Sequence, residues 1–116
     1  MVFTLQAKNG VSVISLPERL DGTNANQAEC ELPAVVDAGL PVIFDASQCL
    51  YISSAGLRLL LVTAKRIPLC ASPVVITGMS EHLVEVMRIT GFDHVFSFAD
   101  SVDDAVVGIK SRGLHV

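Results

Sequence analysis

The sequence predicts an α/β fold, a mixed and mostly parallel β-sheet that begins with a hairpin and packs against about four helices. Three observations predict it. Asn9-Gly10 separates two short apolar runs, the signal of a tight antiparallel hairpin. From residue 25 onward, short apolar runs alternate with helix-length segments, and strands joined through helices pair in parallel by right-handed crossovers. Finally, 51% of the 116 residues are hydrophobic and 17% are charged. That composition buries a core without staples in one domain, whose usual length is about 100–150 residues. The chain reads as a single domain, 1–116, with its core between about 11 and 109.

The elements follow in order. Val2–Leu5 and Val11–Leu16 are the hairpin strands, and Pro17–Asp21 is a loop. Thr23 or Asn24 caps a helix that runs from Ala25 toward Ala38 and stops at Gly39. Pro33 inside that helix is expected to kink or restart it, because it removes one hydrogen bond and clashes with the preceding turn. Pro41–Asp45 is continuously apolar through Val42, Ile43 and Phe44, as a buried central parallel strand is. A loop over Ala46–Ser53 leads into a helix from Ser54 to about Arg66, ahead of Pro68. Pro73–Thr77 repeats the strand pattern, and Gly78-Met79-Ser80 turns into a helix over Glu81–Ile89 that Gly91 ends. Val95–Phe98 is the last strand. Ser101 opens a final helix from Val102 to Lys110, and Ser111–Val116 is expected to fray.

Charge and composition exclude several classes of partner. Twelve Asp plus Glu against eight Lys plus Arg leave a net charge of -4, which argues against nucleic acid or an anionic membrane. There is no Trp and one Tyr, Tyr51, so aromatic stacking on bases or sugars is also disfavoured. Met1–Lys8 lacks the basic start and long apolar stretch of a signal peptide. The run Ile67–Ser80, free of Asp, Glu, Lys and Arg, contains Pro68 and Pro73 and is no spanning helix. Cys30, Cys49 and Cys70 are three in number at wide spacings, the pattern of buried free thiols in a reducing cytosol. A cytoplasmic protein is expected.

Enzyme motifs are missing: GxGxxG, Gly-Lys-Ser/Thr loops, GxSxG and HExxH are all absent. His82, His94 and His115 stand far apart, without the spacing of a helical metal site, and no catalytic residue, metal ligand or cofactor is assigned. His82, at a helix start, and His115, in the tail, read as solvated.

One segment stands out, Asp45-Ala-Ser-Gln-Cys-Leu-Tyr-Ile-Ser-Ser-Ala-Gly-Leu-Arg58. It joins the end of a buried strand to a helix start, where open α/β sheets carry function. Ser54 stands where an N-cap would, its hydroxyl available to first-turn amides. Gly56, two residues on, weakens the helix, so close approach of another group to its backbone is expected. Leu57, Leu60, Leu61 and Ala64 form the core stripe at i, i+3, i+4 and i+7. Leu59 and Val62 lie off it among Arg58, Lys65 and Arg66. Either they form a docking surface rimmed by charge, or the helix is buried over a wider arc. Ser54 likewise has two readings, a plain cap or a phosphorylation switch. A phosphoserine carries about −1.5 to −2 charge; a helix N-terminus stabilises it within the chain, while a partner interface would be broken by it.

Tyr51-Ile-Ser-Ser-Ala-Gly-Leu57 resembles the phosphorylation loop of STAS-domain proteins, specifically bacterial anti-sigma factor antagonists. Leu20-Asp21, Val42–Asp45, Ile76-Thr-Gly78, Val86–Phe92 and Ser101–Ala105 resemble further segments of that family in the same order. The resemblance runs from about Val11 to Ile109. It implies the STAS fold and a protein that is a substrate and binding module, not an enzyme. The unphosphorylated form would bind an anti-sigma factor that is also a serine kinase and holds the ATP. The kinase would phosphorylate Ser54, with Ser53 as second choice, and a serine phosphatase would reset it. Asp21, Ser53, Gly56, Arg58, Leu59 and Val62 are the expected partner-binding residues. Many members of the family carry Asp where this chain has Ser53, which removes a carboxylate from the loop that faces the kinase. The alternative jobs of the fold are a non-phosphorylated STAS scaffold or a small STAS subunit of a lipid or anion transport complex. A hydrolase with Ser54 as nucleophile lacks a base at motif spacing.

Overall fold

Strand order dictates where the helices lie. The computed structural model describes residues 3–8, 10–36, 41–66 and 74–111. Its strands are β1 (Thr4–Lys8), β2 (Val11–Ser15), β3 (Arg19–Leu20), β4 (Val42–Asp45), β5 (Tyr51–Ile52), β6 (Val74–Thr77) and β7 (Phe96–Ala99). The helices are α1 (Ala25–Val36), α2 (Ser54–Arg66), α3 (Glu81–Thr90) and α4 (Val102–Ser111), with a 3-10 turn at Phe92–His94. A five-stranded sheet has the order β1-β2-β4-β6-β7. Only β1–β2 is antiparallel; the other pairs are parallel.

Parallel strands are therefore added in one direction. Right-handed crossovers then put every connecting helix on the same face. Residues of α1, α2 and α3 pack with Ile14, Val42, Phe44, Val74, Ile76 and Phe96 in one cluster. The opposite face alternates with it: Val11, Ile43 and Val75 pack against Ala105, Val106 and Ile109 of α4. The central strands β4 and β6 are buried almost throughout, which is why they read as unbroken apolar runs.

The hairpin forms at the expected turn. Gly10 has φ 79°, a conformation that favours glycine, and Lys8 pairs with Val11 across the loop. The first strand lies later than Val2–Leu5 because pairing extends back from that turn. Its polar residues Thr4 and Gln6 give no apolar signal, since β1 is an exposed edge. The helix α1 runs as one helix across Pro33 to Val36, so the expected restart is corrected. Near the helix end a proline removes a single intrahelical bond. The expected stop at Gly39 lies outside the described residues, as do Cys70, His115, and Arg112–Val116 of the expected frayed tail; Ser111 itself closes α4. Serine hydroxyls cap the last two helices: Ser80 accepts from the Leu83 amide at 3.2 Å, and Ser101 from the Asp104 amide at 3.1 Å.

Two segments expected to be loops, Pro17–Asp21 and Ala46–Ser53, each contain a short strand, β3 and β5. They pair in parallel with Arg19 opposite Tyr51 and Leu20 opposite Ile52, outside the main sheet. The Leu50 and Tyr51 amides donate to the Glu18 carbonyl at 2.8 and 3.2 Å, and the Ser53 amide to the Leu20 carbonyl at 2.9 Å. This small ladder aims the chain from the tip of β4 into α2. Gly56 completes the joint. A Cβ there would lie 2.5 Å from the Leu20 carbonyl oxygen and 2.9 Å from Ile52 Cγ2. The close approach expected at Gly56 is thus made by the protein's own backbone, and Gly56 is buried.

Gly56→Ala should accordingly destabilise the fold. Helix propensity favours Ala by about 1 kcal/mol, whereas overpacking against a backbone atom that cannot rotate away costs about 1–3 kcal/mol. Because a 2.5 Å approach to backbone puts the cost at the upper end of that range, the expected outcome is a net loss of about 2 kcal/mol, which lowers the thermal midpoint by roughly 4–8 °C per kcal/mol. A melt monitored by circular dichroism checks this, and an unchanged or higher midpoint would contradict the close approach.

Candidate functional site

The parallel strands β2, β4, β6 and β7 end at the same edge where the crossover helices begin, and the marked segment lies there. From β4 the chain leaves through a turn in which the Asp45 carboxylate accepts from the Ser47 amide at 3.0 Å. Cys49 is buried and donates its thiol to the Tyr51 carbonyl at 3.6 Å; desolvation pushes its pKa up, so it stays protonated. It is a free thiol inside the fold, as expected. Cys30, by contrast, is exposed on α1, a correction to the expectation of buried thiols.

At the entry to α2 the two serines divide the work. Ser53, not Ser54, is the N-cap: its carbonyl accepts from the Leu57 amide at 2.9 Å, and its hydroxyl from the Gly56 amide at 3.3 Å. Ser54 is the first helical residue and is exposed. The cap expected at Ser54 is corrected by one position, because the ladder bond to Leu20 holds Ser53 in the extended segment and leaves helical geometry to begin after it. The helix leaves the amides of its first turn without intrahelical acceptors. Leu20 takes one and the Ser53 hydroxyl another. Among the described residues, those of Ser54 and Ala55 have no acceptor and lie at the helix start.

Asp21 lies beside this joint, one residue beyond Leu20. One carboxylate oxygen accepts from both the Thr23 hydroxyl at 2.6 Å and the Thr23 amide at 2.9 Å; the other faces Arg19 Nε at 3.4 Å. The hydrogen bonds from Thr23, helped by Arg19, hold its pKa below the usual carboxylate value. Asn24, next to α1, folds its side chain back: Oδ1 accepts from the Asp21 amide at 3.0 Å, and Nδ2 donates to the Arg19 carbonyl at 2.7 Å. Asn24 therefore stands at the cap position without capping forward, and Asp21 and Asn24 together fasten the loop that supports β3.

The remaining expected partner-binding residues separate. Arg58, Leu59 and Val62 line a shallow cleft between α1 and α2 with Ala25, Asn26, Glu29 and Ala55. Its volume of about 80 Å³ suits one side chain rather than a cofactor, since small-molecule pockets run to about 300–1,000 Å³. Leu59 is a correction: it is 5% exposed and belongs to the main core. Of the two readings, wider burial holds for it. The buried arc of α2 is Gly56, Leu57, Leu59, Leu60 and Thr63, because α1 flanks the helix while the sheet underlies it. Thr63 satisfies its hydroxyl on the Leu59 carbonyl at 2.8 Å. Leu61 and Ala64, assigned to the stripe, are only half-buried, as is Val62. Gly56 is likewise corrected from a surface contact to an internal one, since Leu20 covers it.

Two exposed large hydrophobic residues of the segment, Leu50 and Tyr51, are not among the expected partner-binding residues. The Arg19 guanidinium lies 4.6 Å from the Tyr51 ring centroid, a cation–π contact across the small ladder. Their position inside the marked segment, with Tyr51 at the start of the Tyr51–Leu57 stretch, was the sequence signal. His82 and His94 are exposed. Among the described residues no helix is long and apolar enough to cross a membrane.

The comparisons with known proteins agree with this architecture. The STAS domain model matches residues 3–105. The candidate anti-sigma factor antagonist BtrV of Bordetella bronchiseptica is 35% identical over 112 residues, covering 96% of this chain and 97% of that protein. An anti-sigma factor antagonist from Mycobacterium paratuberculosis superposes with a TM-score of 0.83 at 24% identity, over 93% of this chain and 92% of that one. The Bacillus protein SpoIIAA in its phosphorylated form superposes at 0.69 and 18% identity, over 92% and 98%. With a family model spanning nearly its whole length and a relative of this similarity, the chain belongs to the STAS-domain family, among the anti-sigma factor antagonists.

Proposed function

We propose that this protein is the phosphorylatable half of a partner-switching pair. Its unphosphorylated form binds an anti-sigma factor that is also a serine kinase, and modification of Ser54 releases it. In the forward step the Ser54 hydroxyl oxygen attacks the γ-phosphorus of kinase-bound ATP. An O–P bond forms, the bond to ADP breaks, and the hydroxyl proton passes to a base of the kinase. A serine phosphatase restores the hydroxyl by transferring the phosphoryl group to water.

The observation that carries this reading is the division of labour between the serines. Ser53 spends its hydroxyl on the Gly56 amide, while Ser54 stands exposed on the first turn of α2. Phosphate on Ser54 sits beside the Ser54 and Ala55 amides and the positive end of the helix dipole, so the fold tolerates it. In a partner interface the same charge is desolvated and repelled. One event thus changes binding without changing the fold. The presence of Ser53 where many relatives carry Asp fits the same scheme, because either residue serves as an N-cap. Asp21 acts by holding the β3 loop in place, and Arg58 and Val62 at the α1–α2 cleft lie one and two helical turns beyond Ser54 on the surface the kinase faces. That the related SpoIIAA occurs in a phosphorylated form supports the same chemistry here.

The test is intact-mass measurement after incubation with ATP and the serine kinase encoded nearest this gene. Wild type should gain one phosphoryl group and Ser54→Ala none. A variant Ser54→Asp should fold normally yet bind the kinase at least tenfold more weakly than Ser54→Ala. Absence of phosphorylation in wild type, or its survival in Ser54→Ala, would overturn the assignment. Ser53→Ala separates the two serines: it should lose about 1 kcal/mol of stability with the cap and still accept phosphate at Ser54. A Ser53→Ala protein with unaltered stability and no phosphorylation would reverse their roles.

A further inference from the structure

Seven large hydrophobic side chains are exposed among the described residues, and Leu50 and Tyr51 are the only two adjacent in sequence. Single exposed hydrophobics are ordinary; two at neighbouring positions beside the exposed Ser54 are a candidate contact. Leu50 is 72% exposed and Tyr51 44%. The backbone beneath them is fixed, since both amides donate to Glu18 and β5 pairs with β3. The Arg19 guanidinium, itself paired with Asp21, lies over the Tyr51 ring and favours that orientation. An exposed aromatic already held in one orientation loses little entropy on binding, and Tyr and Arg are enriched where interface energy concentrates.

The patch is also placed by chain length. Ser54 lies four positions beyond Leu50, so their Cα atoms lie at most about 14 Å apart. A specific protein–protein contact covers about 800 Å² on each partner, a disc of roughly 16 Å radius. A kinase domain centred on the Ser54 hydroxyl therefore has this patch within its footprint.

We propose that Leu50 and Tyr51, braced by Arg19, are the docking anchor for the ATP-dependent serine kinase that modifies Ser54, and that the kinase presents an apolar hollow to receive them. The proposal rests on the reading of Ser54 given above and adds to it the determinant of partner recognition. The anchor acts on binding, not on transfer: Ser54 supplies the nucleophile, and the loop supplies affinity and register.

Steady-state phosphorylation of the full chain by that kinase tests it. The Leu50→Ala/Tyr51→Ala double variant should raise KM about tenfold or more while kcat stays within twofold. Val107→Ala, which truncates an exposed residue of α4 on the opposite face of the sheet, should change neither. Tyr51→Phe keeps the ring and should retain most of the affinity; with Leu50→Ala it carries the test if removal of the ring disturbs the ladder. Equal KM for wild type and the double variant would overturn the proposal, as would a fall in kcat at unchanged KM, which would make these residues positioners of the serine. Wild type that is not phosphorylated at all would instead refute the underlying reading of Ser54, so the two failures are distinguishable.

Discussion

The arrangement depends on one backbone oxygen. The Leu20 carbonyl accepts the Ser53 amide and at the same time occupies the space that any side chain at residue 56 would need. Through it the end of β3 is pressed against the first turn of α2, so the loop carrying Asp21 and the loop carrying the serines become one rigid edge. The buried Leu20 and Ile52 side chains anchor that edge in the main core. Asp21, Thr23 and Asn24 then tie the loop into α1, so α1 and α2 meet the surface at fixed positions.

This joint explains why residues that look equivalent in sequence play different parts. Ser53 and Ser54 differ only by one step along the chain, yet the first is held extended by the ladder and the second is already helical. A hydroxyl that caps a helix is committed to the fold; the hydroxyl of the next residue stands exposed on the first turn. The same logic separates Leu59 from Val62. Both lie off the predicted stripe, but Leu59 drops into the core beneath α1 while Val62 stays at the cleft.

The main sheet was legible in the sequence because β4 and β6 are buried on both faces and read as unbroken apolar runs, and because asparagine and glycine at positions 9 and 10 announced the hairpin. The helix ends after Ser80 and before Gly91 were legible for similarly local reasons of capping chemistry. The small ladder was not. Each of its strands has two residues, one facing in and one facing out, which is too short for a period to register, and its partners are carbonyls distant in sequence. The buried arc of α2 was misjudged because two of its members, Gly56 and Thr63, carry no apolar signal. Leu50 and Tyr51 illustrate a third limit: apolar side chains in a loop do not announce which way they point. The family resemblance pointed to Ser54 as the proposed site of modification, whereas the identity of the cap required the hydrogen bonds.

The separateness of the small ladder from the five-stranded sheet has a dynamic consequence. A pair of two-residue strands can open as its own cooperative unit, at a free energy well below that of unfolding the sheet. Amide protons of Ser53 and Leu50 then exchange with solvent through local opening, while those of β4 and β6 wait for the whole domain. The edge that carries Ser54 is thereby less protected than the central strands, rigid on the timescale of an encounter and yielding on the slower timescale of local opening.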